Sequence, residues 1–342
     1  MATLADIAQQ AKVSPSTVSL AINNRKGVKP ETRRRIKQLA SELGYRFRQL
    51  DGENGSSDAI PAATIGVVYP ASSLRRDGTL SDLQAKYLFS IRKQLKAQKS
   101  PVSVLAAMDH VEQDPFFRQM IDDDSIAGLI FLKATPSDGY TEYAAKNNIP
   151  QVVLGSSPAI KGCSSISVDH YDAGRQVAEF FASRGHKQVA MVDDQDSVSI
   201  SLQQRAEGFA EACAEYGLEL TIKETGVGGA GGTDEVDGQS IVEAVRKTKT
   251  TAVFCVTDAV ARNTIAILEP AGLRVPGDVA VVGFDNVSSV VSSGNRITSV
   301  GYDIEKMASF APCVLAQMME KKLPIREIKV TIESYIAEHH TT

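Results

Sequence analysis

The chain has 342 residues, 43% of them hydrophobic and 6% aromatic, which is enough for a small domain and a larger one with separate cores. Residues 1–50 hold ten Lys and Arg against three Asp and Glu, while the remainder holds 27 against 38, so a basic head precedes an acidic body. The absence of an apolar run of about 18 residues or of a secretory signal argues against a membrane or exported protein and predicts a cytoplasmic one.

Two short helices joined by a tight turn are predicted in the first part of the head. Apolar residues recur at helical spacing over 4–11, and Thr3 with Asp6 forms the capping-box pattern that begins such a helix. Ser14 then supplies an N-cap oxygen, and Pro15 takes the first position of the second helix, where no amide hydrogen is needed. The pair predicts a helix-turn-helix, whose second helix can present its first residues to base edges in the major groove.

The side chains of the head favour DNA binding over a helical hairpin that only packs on a larger core. Short hydrogen-bonding residues suited to phosphate and base contacts occupy the second helix and its turn, namely Ser14, Ser16, Thr17, Ser19 and Asn23. A third helix is predicted over roughly 30–43, with Ile36, Leu39, Ala40 and Leu43 buried. Its outer face is predicted to carry the basic residues Arg33, Arg34, Arg35 and Lys37.

Three segments of the head carry a family resemblance: Thr3-Leu-x-Asp-Ile-Ala, Val13-Ser-x-x-Thr-Val-Ser and Leu43-Gly-Tyr45. They resemble the DNA-binding headpiece of the LacI/GalR family of bacterial repressors. Together with the residue types, the resemblance implies DNA contacts at Thr3, Leu4, Ser14, Pro15, Ser16, Thr17, Ser19, Leu20, Asn23, Val28, Thr32, Arg33 and Tyr45. Among these, Pro15, Ser16 and Leu20 are predicted to determine which bases are preferred.

Residues 49–63 are predicted to form a flexible linker, because the segment is polar, acidic and rich in Gly and Ser. The family places a short hinge helix here that ends in a leucine wedged into the minor groove. In this chain Leu50 comes too early and Asn54 occupies the expected leucine position. The sequence therefore predicts that no minor-groove wedge forms.

The body alternates apolar strand patterns with amphipathic helix patterns, which predicts parallel sheets buried on both faces. Strands are predicted at 64–69, 102–106, 127–132, 151–154, 189–192, 251–256 and 279–283, with helices such as 83–97, 173–184, 204–216 and 234–247 between them. The fold class is α/β, with a three-helix head and two subdomains. The body resembles the periplasmic-binding-protein-like effector domain of the same family, most clearly over Val275-Pro-x-Asp-Val-Ala-Val-Val-Gly-Phe-Asp-Asn286.

The predicted division has three parts: residues 1–48 form the headpiece, 49–63 the linker and 64–342 the bilobed body. The resemblance implies that the chain crosses between the two lobes of the body. The first subdomain is expected over about 64–163 and 298–324, and the second over about 164–297 and 325–342.

Two residues of the body are predicted to bind a small-molecule effector. Asp258 follows an apolar strand, and ligands of open parallel sheets bind outside the carboxyl ends of strands. Arg205 lies on a helix before Gly208, and its planar guanidinium suits hydroxyls or a carboxylate. The resemblance implies the effector cleft for both side chains, although a sheet-end cap or a solvated charge is the alternative for each.

An alternative function follows from Gly226-Val-Gly-Gly-Ala-Gly231, which fits the G-x-G-x-x-G pattern of a nicotinamide-dependent oxidoreductase. A dinucleotide site also requires an acidic residue about twenty residues after the glycines, at the end of the next strand. The acidic residue that ends the next strand here, Asp258, lies further from Gly231 than that spacing allows. No catalytic motif and no cofactor or metal site is predicted. The cysteines, which lack C-x-x-C spacing, are predicted to be buried thiols: Cys163, Cys213, Cys255 and Cys313.

The sequence thus predicts a sequence-specific DNA-binding transcription regulator, expected to be a repressor. Its partners are predicted to be a near-palindromic double-stranded operator, a second copy of the chain in a homodimer, and an effector such as a sugar or sugar derivative. No membrane partner is predicted.

Overall fold

The computed structural model describes residues 3–22, 28–43, 64–70, 80–97, 101–107, 110–123, 125–132, 139–156, 163–194, 199–225, 238–287, 294–319 and 327–342. The predictions for Asn23, Tyr45, the linker at 49–63 and the glycine-rich segment at 226–231 lie outside the described residues. Within the described part, no helix is both long and apolar enough to cross a membrane. No group of three or more His, Cys, Asp or Glu there could hold a metal ion.

The described residues of the head form three helices, α1 (Leu4–Ala11), α2 (Pro15–Ile22) and α3 (Pro30–Glu42), as predicted. The capping box of α1 is formed, because Thr3 Oγ1 accepts the Asp6 amide at 3.3 Å and Asp6 Oδ2 accepts the Thr3 amide at 2.7 Å. The three helices bury a common apolar core built from Ile7, Ala8, Ala11, Val18, Ala21, Ile36 and Ala40.

Arg33 does not lie on the outer face of α3, where it was predicted. Only 8% of the residue is exposed. The spacing explains the error, because Ile36 and Ala40 follow Arg33 by one and two helical turns and all three residues share the inward face. Arg35 is exposed, in agreement with the prediction.

The first lobe of the body is built on a parallel sheet of β1 (Ile65–Pro70), β2 (Val102–Ala107), β3 (Gly128–Leu132), β4 (Gln151–Leu154), β5 (Ser164–Val168) and β11 (Lys329–Ile332). The strand order is β11-β5-β4-β3-β1-β2, so β2 is an edge strand. Its helices are α4 (Asp82–Ala97), α5 (Pro115–Asp122), α6 (Tyr140–Lys146) and α11 (Ile304–Met319), with a 3-10 turn at Val111–Gln113.

The second lobe contains β6 (Gln188–Asp194), β7 (Glu219–Thr225), β8 (Ala252–Cys255), β9 (Ala280–Phe284), β10 (Thr298–Tyr302) and β12 (Ser334–Ala337). Its helices are α7 (His170–Ser183), α8 (Ile200–Glu215), α9 (Gly238–Thr248) and α10 (Asp258–Leu268). The order is β12-β10-β9-β8-β6-β7. The sheet is parallel except that β12 pairs antiparallel with β10, a strand direction that the prediction of parallel sheets missed.

The chain crosses between the sheets slightly later than predicted. The prediction gave 164–168 and 329–332 to the second subdomain and 298–302 to the first. Backbone pairing instead joins β5 to β4, β11 to β5, and β10 to β9. A strand belongs to the sheet that satisfies its amides and carbonyls, so each crossing follows a strand end. The division into headpiece, linker and body remains a prediction.

The cysteines differ from the prediction at one position. Cys163, Cys213 and Cys255 are buried free thiols, whereas Cys313 is exposed. Cys313 lies on α11 between the buried Pro312 and Val314. The prediction depended on the scattered spacing of the cysteines, which does not distinguish a buried thiol from an exposed one.

Candidate functional site

The start of α2 presents polar groups to solvent. Ser14, Pro15 and Ser16 are exposed, while Leu20 is half-buried. Ser14 is the predicted N-cap, since its Oγ accepts the Thr17 amide at 3.1 Å and lies 2.8 Å from Thr17 Oγ1. This exposed helix start is the part of a helix-turn-helix that can enter the major groove.

The other residues predicted to contact DNA differ in their surroundings. Thr3 is exposed and caps α1, whereas Leu4 and Val28 pack half-buried against the headpiece core. Half-buried positions are also found for three more residues of this set, Thr17, Ser19 and Thr32. Arg33 is buried, which leaves it less surface for a phosphate than an outward arginine would have. DNA contact by each of these residues remains a prediction.

Arg205 lies inside the second lobe, with 2% of the residue exposed. Its Nη1 donates to the Val256 carbonyl at 2.6 Å, and its Nε donates to His170 Nδ1 at 3.3 Å. The guanidinium carbon lies 3.4 Å from the centroid of the Phe284 ring, a stacked cation–π contact. Arg205 is therefore held in one orientation rather than solvated, which removes the alternative of a surface charge.

Two glycines allow α7 and α8 to cross closely enough to place Arg205. A Cβ on Gly208 would lie 2.0 Å from the Tyr171 carbonyl oxygen, and one on Gly174 would lie 2.2 Å from the Arg205 carbonyl oxygen. Both distances are far below van der Waals contact, so only glycine fits at the crossing. The glycine in the Arg205-x-x-Gly208 pattern thus allows the Arg205 backbone to lie close against α7.

Asp285 is a site residue that the sequence reasoning missed. Its Oδ1 lies 3.6 Å from Arg205 Nη2 and accepts the Tyr302 hydroxyl at 3.3 Å. The position of Asp285 in the sequence could have identified it as a site residue. It directly follows β9, just as Asp258 follows β8, and both strands end at the same sheet edge.

The two lobes meet beside this ion pair. Tyr302 of the second lobe lies with its hydroxyl 3.0 Å from the hydroxyl of Tyr87 on α4 of the first lobe. Nearby, the Ser201 hydroxyl donates to the Gly155 carbonyl at 3.4 Å, which links α8 to the end of β4. We call the region where the two lobes meet, around Gly155, Arg205 and Asp285, the interlobe cleft.

Asp258 is buried and uses both carboxylate oxygens within the protein. Oδ1 accepts the Ser299 hydroxyl at 2.6 Å, and Oδ2 accepts the Val287 amide at 3.1 Å. Burial, together with the nearby Asp285 carboxylate, raises the pKa of Asp258 to about 7, although these two hydrogen bonds oppose the rise. Direct effector binding by Asp258 remains a prediction.

The raised pKa of Asp258 predicts a pH-dependent stability. Because the folded-state pKa of about 7 exceeds the unfolded value of 3.8, the folded protein binds this proton more tightly between those pH values. The free energy of unfolding should therefore fall from pH 4 to pH 7, by a few kcal/mol for this group, and level off above pH 7. Denaturant unfolding of Asp258→Asn should lack this component, so the wild type should lose stability relative to the variant between pH 5 and pH 8. A constant difference across that range would contradict the assignment.

Two family models match the chain. Residues 3–46 match "Bacterial regulatory proteins, lacI family", and residues 178–337 match "Periplasmic binding protein-like domain". Catabolite control protein A of Priestia megaterium is 26% identical over 94% of this chain and 93% of that protein.

Solved structures with the same fold cover the whole chain. A complex of the transcriptional regulator CelR with cellobiose has a TM-score of 0.70 at 20% identity, with full coverage of both chains. A lac repressor dimer bound to operator and an anti-inducer has a TM-score of 0.67 at 21% identity, covering 100% of this chain and 99% of that one. The first of these structures contains a bound sugar, and the second contains operator DNA.

Proposed function

The chain belongs to the LacI family of bacterial regulatory proteins, and from this premise we propose that it represses transcription by binding a near-palindromic operator as a homodimer. A small molecule in the interlobe cleft controls operator affinity. The observation that supports the proposal most directly is the exposed start of α2. Ser14, Pro15 and Ser16 are exposed there, on a three-helix head that has its own apolar core. In this proposal the protein acts by binding and catalyses no reaction.

The effector proposed here is an uncharged polyhydroxyl compound such as a sugar. Arg205 already pairs with Asp285, and Asp258 adds a further carboxyl, so these three groups have no excess positive charge for an anion. A carboxylate can accept a hydrogen bond from a hydroxyl group, and a guanidinium can donate one to it, so the pair is suited to a ligand with several hydroxyl groups. The buried Ser156 Oγ, after β4, has no hydrogen-bond partner among the described residues and supports a polar ligand.

The proposed dimer face lies between α4 and the edge strand β2 of the first lobe. Phe89 is 70% exposed and Val104 47% exposed, although both are large and apolar. With Leu80, Leu88 and Val102 they line an open groove of about 790 Å³. An exposed apolar groove beside an unpaired strand edge is typical of a surface that binds another chain. A second copy in this position would supply the two headpieces that a near-palindromic operator requires.

The proposed reading by α2 is tested by changing Leu20 to Arg. Leucine can contact only an apolar group such as the thymine methyl, whereas arginine can bind guanine O6 and N7, a preference of roughly 1–3 kcal/mol. Selection of binding sites from random duplexes should therefore return different consensus sequences for the wild type and Leu20→Arg.

The exposed Arg35 provides the matched control for this selection. Arg35→Ala removes an exposed positive charge of the basic head, so it should weaken all duplexes alike without changing the consensus. An identical consensus for wild type and Leu20→Arg would contradict base reading by α2.

A further inference from the structure

The turn that follows β9 has an unusual backbone. Asp285 has φ 100° and Asn286 has φ 47°, so two successive non-glycine residues lie in the left-handed region. Asp and Asn tolerate this region better than other L residues, but two such residues in succession still need surrounding contacts to hold them. Because this turn carries Asp285, whatever holds it also sets the position of the Asp285 carboxylate.

Three successive amides of the turn are held by three different acceptors. The Asp285 amide donates to the Val300 carbonyl at 2.9 Å, as a continuation of the sheet. The Asn286 amide donates to Ser299 Oγ at 3.0 Å, and the Val287 amide donates to Asp258 Oδ2 at 3.1 Å. Side chains of Ser299 and Asp258 therefore supply the two acceptors beyond the sheet.

These two side chains also hold each other. The Ser299 hydroxyl donates to Asp258 Oδ1 at 2.6 Å while it accepts the Asn286 amide, so its donor and an acceptor site are both occupied. Ser299 is fully buried, and Asp258 is 4% exposed. A Cβ on Gly283 would lie 2.5 Å from Asp258 Oδ1, so the glycine in β9 leaves the room that the Asp258 carboxyl group occupies.

We propose that Asp258 is a positioning residue, which with Ser299 fixes the Asp285–Val287 turn and so places the Asp285 carboxylate beside Arg205 for the effector. The proposal rests on the proposed function, in which Arg205 and Asp285 bind the effector. It assigns Asp258 an indirect role in place of the direct contact that the family resemblance implied. The assignment accounts for the burial of Asp258 and for the use of both its oxygens by the chain.

Hydrogen–deuterium exchange of the full-length protein tests the first half of the proposal without any ligand. In Asp258→Ala and in Ser299→Ala, the amides of Asn286 and Val287 should exchange at least tenfold faster than in the wild type. The matched control is Asp278→Ala, which removes another carboxylate of the same lobe that accepts a backbone amide, that of Arg274. Its exchange at the turn should equal that of the wild type. Unchanged exchange in both Asp258→Ala and Ser299→Ala would overturn the proposal.

Sugar affinity tests the second half, with cellobiose, D-ribose and D-xylulose as probes in titration calorimetry. Asp258→Ala should weaken a bound sugar at least tenfold in the wild type but less than twofold in an Asp285→Asn background, because Asp258 acts through Asp285. Equal losses in both backgrounds would indicate an independent direct contact and overturn the proposal. A loss of stability alone would instead appear in both backgrounds as a lower Tm.

The two proposals fail in different ways. If none of the three sugars binds the wild type, the proposed effector class loses its support. The exchange measurement still decides whether Asp258 and Ser299 hold the turn, because it requires no effector.

Discussion

Replacing Phe89 by Asp is expected to convert the proposed homodimer into a monomer and to weaken operator binding by about 100-fold or more, the usual gain from linking two binding units. Phe89 is 70% exposed and lies in the apolar groove between α4 and β2. A carboxylate at its position would have to lose its hydration when a second copy covers the groove. Each half of a near-palindromic operator would then bind a separate headpiece, without the benefit of linkage.

Analytical ultracentrifugation and operator titration measure this effect. Phe116→Asp is the matched control, because Phe116 is 63% exposed on α5, outside the proposed dimer face. It should leave both the mass and the operator affinity unchanged. A Phe89→Asp protein that still sediments as a dimer with full operator affinity would place the dimer face elsewhere.

Arg205→Lys is expected to lower effector affinity by about 100-fold while operator binding without effector is retained. Lysine keeps the charge but loses the planar group that stacks on Phe284 and donates to both Val256 and His170. Both of these bonds are made within the protein, so the change acts on the effector by releasing the cation from its fixed place beside Asp285. Loss of two effector hydrogen bonds to a charged group costs about 3 kcal/mol, which corresponds to about 100-fold in affinity. The retained charge keeps Asp285 paired, so the fold should survive the change.

Titration calorimetry with the sugar found by thermal-shift screening measures the affinity. Arg274→Lys is the control, because Arg274 pairs with Asp278 on the surface of the same lobe and its side chain is 78% exposed. That variant should bind the sugar as the wild type does. If Arg205→Lys retained full affinity, Arg205 would be a structural residue rather than an effector ligand.

Local sequence patterns predicted much of this molecule correctly. The capping box at Thr3, the N-cap at Ser14 and the inward positions of Ile36 and Ala40 all follow from contacts within a few residues, and the structure has each of them. Most strands of the body were also located, because a buried parallel strand is an unbroken apolar run. Local hydrogen bonding and burial explain these successes.

The errors concern features that depend on distant parts of the chain. The assignment of β5 and β11 to the first sheet depends on pairing partners that no local pattern names. Asp285 and Asp258 both follow apolar strands, and only the fold reveals that Ser299 and Val287 occupy the oxygens of Asp258. The burial of Arg33 is the exception, because its helical spacing from Ile36 and Ala40 already places it on the inward face of α3.

The central claim is that a basic three-helix head binds one class of DNA site and that the cleft of an acidic body controls this binding. Genomic fragments bound by the purified protein, sequenced with and without the sugar identified by thermal shift, test it most directly. We expect a near-palindromic consensus bound about 1,000-fold or more tightly than random duplex, with an occupancy that the sugar changes. Equal binding of all fragments, with no response to the sugar, would contradict it.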